Sequence, residues 1–166
     1  MFLRVLAGLL AFSVLVSCKC QQTASVSSIR DLVGSARTID QSTVKMQGHE
    51  KFVMINFWAS WCGPCIQETP SLLHLANENS GKVILLLISE DSSLKDLRSF
   101  IKLYPLAQSA NVFVIYDEDR RFAQGLGVSS LPRTFVFNRE FQMTENYSGA
   151  VDWNTPEARQ FLGVSR

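Results

Sequence analysis

Residues 56 to 70 read N-F-W-A-S-W-C-G-P-C-I-Q-E-T-P, and this stretch decides the fold. The residues that lead into it, Phe52 to Trp58, are mostly β-branched or aromatic, and their number is typical of a buried strand. After the cysteines, apolar residues recur at helical spacing, namely Ile66, Leu72, Leu73 and Ala76. The sequence therefore places Cys62 where a strand ends and Cys65 in the first turn of a helix.

The two residues between the cysteines, Gly63 and Pro64, favour this strand-to-helix turn. Gly63 permits a tight turn, and Pro64 suits the first helical turn, where no amide donor is needed. Unpaired amides and the helix macrodipole favour negative charge at a helix N-terminus, so a thiolate at Cys62 is stabilised there. Because a thiolate attacks disulfides, we expect Cys62 to be the nucleophile and the less exposed Cys65 to resolve the mixed disulfide.

A C-x-x-C pair is also half of a structural zinc site, which needs two further ligands. The chain has no second C-x-x-C and only two histidines, His49 and His74. We expect His49 in a solvated turn and His74 on a helix surface. The pattern therefore favours redox chemistry and predicts no metal site.

The wider string F-W-A-S-W-C-G-P-C-I-Q-E-T-P resembles the TlpA/ResA group of bacterial envelope thioredoxin-like proteins. Asn56 stands where thioredoxin has a buried Asp, and Glu68 matches a Glu that the envelope group commonly has. Pro70 matches the proline that kinks the active-site helix. The resemblance covers roughly Val44 to the C-terminus and implies an α/β thioredoxin fold. In that fold helices flank a central mixed β-sheet, with an N-terminal hairpin extension and an inserted strand-helix unit.

A second signature, G-V-S-S-L-P-R-T-F from Gly127 to Phe135, resembles the superfamily loop whose cis-proline faces the C-x-x-C. With a cis Leu131–Pro132 bond, the Leu131 backbone could pair with an extended substrate segment beside Cys62. A plain loop proline is the alternative. Taken together, the resemblance implies three catalytic residues, Cys62, Cys65 and Glu68, of which Glu68 tunes the cysteines and relays protons. Five further residues are expected to support them: Trp61, Gly63, Pro64, Leu131 and Pro132.

One position departs from the family pattern. Family members usually have a Gly in the turn after the next strand, where this chain has Phe141. A positive φ would strain a Phe there. Either the turn differs in type or Phe141 covers an apolar patch.

Elsewhere, strands alternate with helical patterns, which predicts right-handed crossovers and a largely parallel centre. The predicted strands are Val83–Ser89, Asn111–Tyr116, Thr134–Phe137 and Phe141–Tyr147. Helices are predicted over Pro64–Glu78, from Leu94 to Tyr104, over Arg121–Leu126, and from Thr155-Pro156 onward. The pattern from Ile29 to Gln47 is weak, and the family's hairpin leads us to expect short strands there.

The N-terminus has the pattern of a targeting segment. Residues 1–17 combine Arg4 with a short apolar run, which predicts a signal peptide. Leu15-Val16-Ser17-Cys18 resembles a bacterial lipobox, so we expect Cys18 to be lipidated and to anchor the protein in a membrane. An ordinary signal peptide or an uncleaved anchor is the alternative. We expect residues 18–43 to form a tether and N-terminal extension, and residues 44–166 the thioredoxin-like domain.

Composition narrows the classes of protein to which the chain can belong. The chain has 166 residues, 46% hydrophobic content and a formal net charge of +1, which is typical of one globular domain. No basic run predicts a nucleic-acid partner. The four cysteines form two close pairs, Cys18/Cys20 and Cys62/Cys65, unlike a multi-disulfide scaffold. No flavin or nucleotide motif is present, so we expect no cofactor beyond a redox-active Cys62–Cys65 disulfide. We also expect the protein to be a monomer.

The resemblance implies a thiol-disulfide oxidoreductase of the bacterial periplasm or cell envelope that reduces disulfides in substrate proteins. Such a reductase needs electrons from a membrane protein of the CcdA/DsbD kind, and cytochrome c maturation is a candidate process. Four alternatives stay open: a disulfide oxidase or isomerase, a thiol peroxidase, a non-enzymatic binding lipoprotein on the same scaffold, and a soluble secreted form.

Overall fold

The computed structural model describes residues 26–44, 51–106 and 109–163. Three sequence-based assignments lie outside these residues: the signal peptide at 1–17, the lipidation of Cys18 in the Cys18/Cys20 pair, and the turn at His49. Within the described part of the chain, no helix is both long enough and apolar enough to cross a bilayer.

The described residues contain a five-stranded mixed sheet with the order β3-β2-β1-β4-β5. Its strands are β1 Phe52–Trp58, β2 Val83–Ser89, β3 Val112–Tyr116, β4 Arg133–Phe137 and β5 Met143–Ser148. β2 runs parallel to β1 and β3, whereas β4 runs antiparallel to β1 and β5. The predicted mixed sheet with a parallel centre is confirmed.

Helices cover both faces of this sheet, because its central strands are apolar on both sides. Helices α2 Gly63–Glu78 and α3 Leu94–Leu103 pack on one face, together with the C-terminal segment. Helices α1 Val26–Ser35 and α4 Arg121–Gly125 pack on the other. β1 contributes to both clusters, since Met54 and Trp58 face α2 while Ile55 and Phe57 face α1.

The N-terminal region differs from the expected hairpin strands. Helix α1 begins before Ile29 and ends at Ser35, and the only strand-like pairing that follows within residues 36–44 consists of isolated bridges. One bridge joins Arg37 to Thr43, and the other joins Thr38 to Ile115 of β3. Ile29 and Val33, four residues apart, are both buried against the sheet. Because this spacing makes the two side chains neighbours on one helix face, a helix buries them together, whereas an extended strand would hold them far apart.

The C-terminal segment also differs from its prediction. No α-helix follows Thr155 in the described residues; instead a chain of turns leads to a short 3₁₀ helix, Gln160–Leu162. Thr155 still caps the first turn, since its Oγ1 accepts from the Ala158 N–H at 3.3 Å. Trp153 and Ala158 are buried. The turns let these closely spaced apolar side chains reach the same face, which also carries α2.

Phe141 takes the conformation that its position was expected to resist. Its φ is 61°, and its ring is buried. The guanidinium of Arg30, from α1, lies 4.9 Å from the ring centroid. The turn thus keeps the left-handed geometry that usually favours glycine, and the buried ring offsets the backbone strain. Of the two explanations offered from the sequence, the burial of Phe141 in an apolar cluster applies, whereas a change of turn type does not.

Candidate active site

Cys62 and Cys65 form a disulfide at the N-terminus of α2, with their Cα atoms 5.3 Å apart. Cys62 is the N-cap residue, and its Sγ accepts a hydrogen bond from the Cys65 N–H at 3.3 Å. Pro64 occupies the first helical turn. Cys62 is 7% exposed and Cys65 is 2% exposed. A backbone donor of the first helical turn therefore points at the sulfur that was expected to carry negative charge.

The surface around the disulfide is formed by the three residues next to the cysteines. Trp61 is 68% exposed, and Gly63 and Pro64 are exposed as well. An exposed indole beside a reactive sulfur offers a flat apolar surface to an incoming polypeptide.

The loop before β4 approaches the same sulfur. Leu131–Pro132 is a cis peptide bond, Pro132 is buried, and Leu131 is half-buried. Leu131, Trp61 and Cys62 line one cavity of about 530 Å³. The structure thus brings together two sequence signatures that are almost seventy residues apart.

Glu68 lies behind the disulfide, and its side chain is 3% exposed. Its Oε1 accepts from the Trp153 Nε1–H at 2.9 Å and from the Asn56 amide at 3.2 Å. The Thr134 hydroxyl adds a longer bond of 3.5 Å to the same oxygen. The backbone N–H of Val151 donates to Oε2 at 3.4 Å. Asn56 and Thr134 are neighbours across β1 and β4, so the sheet itself presents two of these donors.

Burial raises the pKa of Glu68 above its ordinary value, because the ionised carboxylate loses water. The hydrogen bonds from Trp153, Val151 and Thr134 act in the opposite direction without cancelling the effect of burial. Glu68 also lies three residues after Cys65 on the same helix, which places the two side chains on one face. The arrangement suits a group that takes up and releases a proton next to the resolving cysteine.

A second carboxyl group, Glu90, lines the cavity on the other side of Cys62. Its Oε2 accepts from the Arg120 Nε–H at 2.8 Å, and its side chain is 4% exposed. Burial and the neighbouring Asp117 carboxylate raise the pKa of Glu90 to about 7, whereas Arg120 acts in the opposite direction. Asp117 also accepts the N–H groups of Phe122 and Ala123, at the start of α4.

Two features of the site were not predicted from the sequence: the acidic wall that Glu90, Asp91 and Asp117 form along the cavity, and the contact of Trp153 with Glu68. Glu90 and Asp91 follow β2 directly, and Asp117 follows β3. Since the carboxyl ends of parallel strands meet at one sheet edge, this spacing was the available signal for the wall. No comparable signal marked Trp153, which follows the last strand and contacts Glu68 from the opposite end of the chain.

Within the described ranges, no group of three or more His, Cys, Asp or Glu side chains is arranged to hold a metal ion. His74 lies on the surface of α2, with its Nε2 3.3 Å from Glu78 Oε1.

Comparison with known proteins places these features in a family. The Redoxin family model matches residues 27–162. The chain is 30% identical over 121 residues to the thiol-disulfide oxidoreductase ResA of Bacillus subtilis, covering 70% of this chain and 62% of that protein. It is 31% identical over 115 residues to ResA of Oceanobacillus iheyensis, covering 68% and 58%. The matched region thus spans less than two thirds of either relative.

Solved structures agree on the architecture. The pneumococcal exposed lipoprotein thioredoxin of Streptococcus pneumoniae superposes with a TM-score of 0.65 at 20% identity. The superposition covers 78% of this chain and 97% of that one. The fold is therefore the thioredoxin fold. Because the Redoxin family model matches most of the chain, the chain belongs to the Redoxin family.

Proposed function

We propose that this protein is a thiol-disulfide oxidoreductase that reduces disulfides in other proteins. The observation that carries the proposal is the Cys62–Cys65 disulfide, which lies at a helix N-terminus between an open cavity and the buried carboxyl of Glu68. The names of the ResA relatives support the same activity. The catalytic residues are Cys62, Cys65 and Glu68.

The reaction begins from the reduced dithiol. The Cys62 thiolate attacks one sulfur of the substrate disulfide, and the S–S bond breaks as a Cys62–substrate mixed disulfide forms. The first substrate sulfur leaves as a thiolate and takes a proton from solvent, which received the proton of the Cys62 thiol when the Cys62 thiolate formed. The Cys65 thiolate then attacks Cys62 Sγ and releases the second substrate thiolate. The substrate gains two electrons and two protons, and the protein ends as the Cys62–Cys65 disulfide.

Glu68 supplies the base for the second step. As a carboxylate it accepts the proton of the Cys65 thiol, because a thiol must ionise before it attacks. Its raised pKa lets it hold that proton closer to neutral pH than an exposed glutamate would. The proton then passes to the leaving substrate thiolate.

The substrate binds across the disulfide. Trp61 contacts its apolar side chains, and the backbone of Leu131 pairs with an extended segment beside Cys62. Gly63 and Pro64 keep the approach to Cys62 open, and Pro132 sets the path of the facing loop.

We place this reaction in the bacterial cell envelope, with the protein acting as a monomer. Cys18 carries the lipid anchor, and a membrane protein of the CcdA/DsbD kind supplies electrons. The proposed substrates are the protein disulfides that are reduced during cytochrome c maturation. The lipobox-like sequence before Cys18 supports the anchor, and the Gly-Pro pair between the cysteines supports the reducing direction.

The reduction potential of the Cys62–Cys65 pair tests the direction of electron flow. The full chain is equilibrated in thiol redox buffers, quenched, alkylated and analysed by mass spectrometry. A reductase is expected to lie near thioredoxin, at about −270 mV. A value near that of DsbA, about −120 mV, would make the protein an oxidant and overturn the proposed direction.

A further inference from the structure

Trp153 is a buried side chain with a direct contact to the proposed proton acceptor. It follows β5 in the C-terminal segment and is 0% exposed. Its Nε1–H donates to Glu68 Oε1 at 2.9 Å, the shortest of the hydrogen bonds to that carboxyl group. The two residues are 85 positions apart in the chain, so this contact exists only in the folded protein.

The backbone of Trp153 is fastened to the helix that carries Glu68. Its N–H donates to the Ser71 hydroxyl at 3.2 Å. Its carbonyl oxygen accepts from the Arg159 Nε–H at 2.6 Å, and Arg159 also pairs with Glu78 at 3.0 Å. Ser71 and Glu78 both belong to α2. The segment therefore holds the indole against α2 at two points along the helix.

The ring is fixed as well. Tyr147, on β5, packs edge-on against it with centroids 5.1 Å apart. With its backbone tied to α2 and its ring held against β5, the indole has one direction in which to present its N–H. That direction points at Glu68 Oε1.

We propose that Trp153 is a positioning residue for the thiol–disulfide reaction, and that its indole N–H holds the Glu68 carboxyl group in the orientation that serves Cys65. The proposal rests on the proposed function, because the orientation of Glu68 affects the reaction only if Cys65 passes its proton to that group.

The electrostatic surroundings give the contact its effect. Among the described residues, the groups bonded to Glu68 are uncharged: Asn56 from β1, Thr134 from β4, and Val151 and Trp153 from the C-terminal segment. Two titratable side chains adjoin this cluster: Cys65 in its reduced form, three positions before Glu68 on α2, and Tyr147, which packs on Trp153. Hydrogen-bond donors stabilise the ionised carboxylate, and Trp153 makes the largest contribution among those that lower the pKa of Glu68.

Replacing Trp153 with Phe keeps most of the ring and removes the donor. Glu68 Oε1 then retains only the longer bonds from Asn56 and Thr134. We expect the carbon-13 carboxyl signal of Glu68 in the reduced full chain to titrate about one pH unit higher in Trp153→Phe. The pH profile of Cys65 alkylation, followed by mass spectrometry, is expected to move in the same direction.

Trp58 provides a matched control. It is also buried, and within the described residues its Nε1 has no hydrogen-bond partner. Trp58→Phe therefore removes an indole of the same size without removing a donor to Glu68. We expect the Glu68 titration in this variant to match the wild type even if the melting temperature falls.

A measurement that keeps the Trp153 side chain in place guards against misfolding of Trp153→Phe. With 5-fluorotryptophan incorporated in the full chain, the fluorine-19 signal of Trp153 is expected to follow the Glu68 titration and to lose this response in Glu68→Gln. The Trp58 signal is expected to stay constant through that pH range.

Three results would overturn the proposal: a Glu68 titration in Trp153→Phe that matches Trp58→Phe, a Trp153 fluorine signal insensitive to Glu68, or a shifted Glu68 titration with an unchanged Cys65 profile. Failure of the proposed function would be visible separately, as a wild-type protein that reduces no disulfide substrate.

Discussion

Glu68 and Glu90 are two buried carboxyl groups on opposite sides of the Cys62 region, and their surroundings differ. Burial raises the pKa of both. Glu68 is bonded to uncharged donors, whereas Glu90 lies between the carboxylate of Asp117 and the guanidinium of Arg120. Burial thus makes both carboxyl groups titrate at an unusual pH, but their neighbours differ: the pKa of Glu68 responds to lost hydrogen bonds, and that of Glu90 responds to nearby charge.

Removing the disulfide is expected to have the largest effect, because Cys62 and Cys65 carry every bond change in the proposed reaction and Glu68 acts only through Cys65. Cys62→Ser should abolish reduction of a model disulfide substrate, since no other described sulfur can take its place at the helix N-terminus. Cys65→Ser should retain the first step and accumulate mixed disulfides, which are visible on non-reducing gels. Residual reduction by Cys62→Ser would contradict the mechanism.

Substitutions of the two glutamates are expected to have different effects on the rate in the same disulfide-reduction assay. Glu68→Gln removes the proton acceptor while keeping a side chain of the same shape, and we expect the second step to slow by about 10²-fold. Glu90→Gln leaves that acceptor in place, so its rate should stay close to the wild type. Stopped-flow kinetics across the pH range distinguish the steps, and an unchanged pH profile in Glu68→Gln would remove Glu68 from the mechanism.

The stability of the fold is expected to depend on Glu90 in a defined pH window. The folded protein holds the Glu90 proton up to about pH 7, whereas an ordinary glutamate loses it near 4.5. The contribution of Glu90 to stability is therefore fully present below pH 4.5 and is lost as the pH rises through about 7. Because Gln cannot ionise, Glu90→Gln should melt about 2–4 °C above wild type at pH 8.

The same thermal scans carry their own control. Below pH 4.5 wild-type Glu90 is protonated in both the folded and the unfolded chain, so the two melting temperatures should converge there. A constant difference at all pH values would assign the effect of Glu90→Gln to packing instead.

Added salt is expected to produce the smallest effect, and it should change the pKa of Glu90 but not that of Glu68. Arg120 is 61% exposed, so high salt should screen its attraction for Glu90 more than the repulsion from buried Asp117. The Glu90 titration should therefore move to higher pH with added salt, while that of Glu68 should not move. Carbon-13 carboxyl NMR measures both at once. Arg120→Gln should remove the salt response, and a response that persists would contradict its origin in this pair.

Much of the fold was predictable because its signals are local. The apolar run before Cys62, the Gly-Pro turn and the spacing of the helical residues each act within a few positions, and the corresponding strand and helix are confirmed. The prediction of short strands in the N-terminal region was wrong. It followed the family's hairpin, whereas Ile29 and Val33 are spaced as on one face of a helix. The roles of the site residues stay predictions until they are measured.

The part of the site that escaped prediction depends on contacts across the chain. Trp153 reaches Glu68 over 85 positions, and Glu90 meets Arg120 over 30. Neither contact leaves a periodic pattern, because a single hydrogen bond or ion pair does not constrain the residues beside it. Phe141 departs from the family pattern in the sequence itself, but only its burial and its contact with Arg30 explain how a Phe is tolerated at a positive φ.

By itself, the sequence determined that a strand delivers Cys62 to a helix N-terminus, that Cys65 follows one turn later, and that an alternating pattern builds a mixed sheet. These are consequences of backbone preference and periodic burial. Only the tertiary structure decided which groups surround Glu68 and Glu90. The reason is physical: burial and long-range hydrogen bonds act through space, so the charge state of a carboxyl group depends on neighbours that the chain brings together only when it folds.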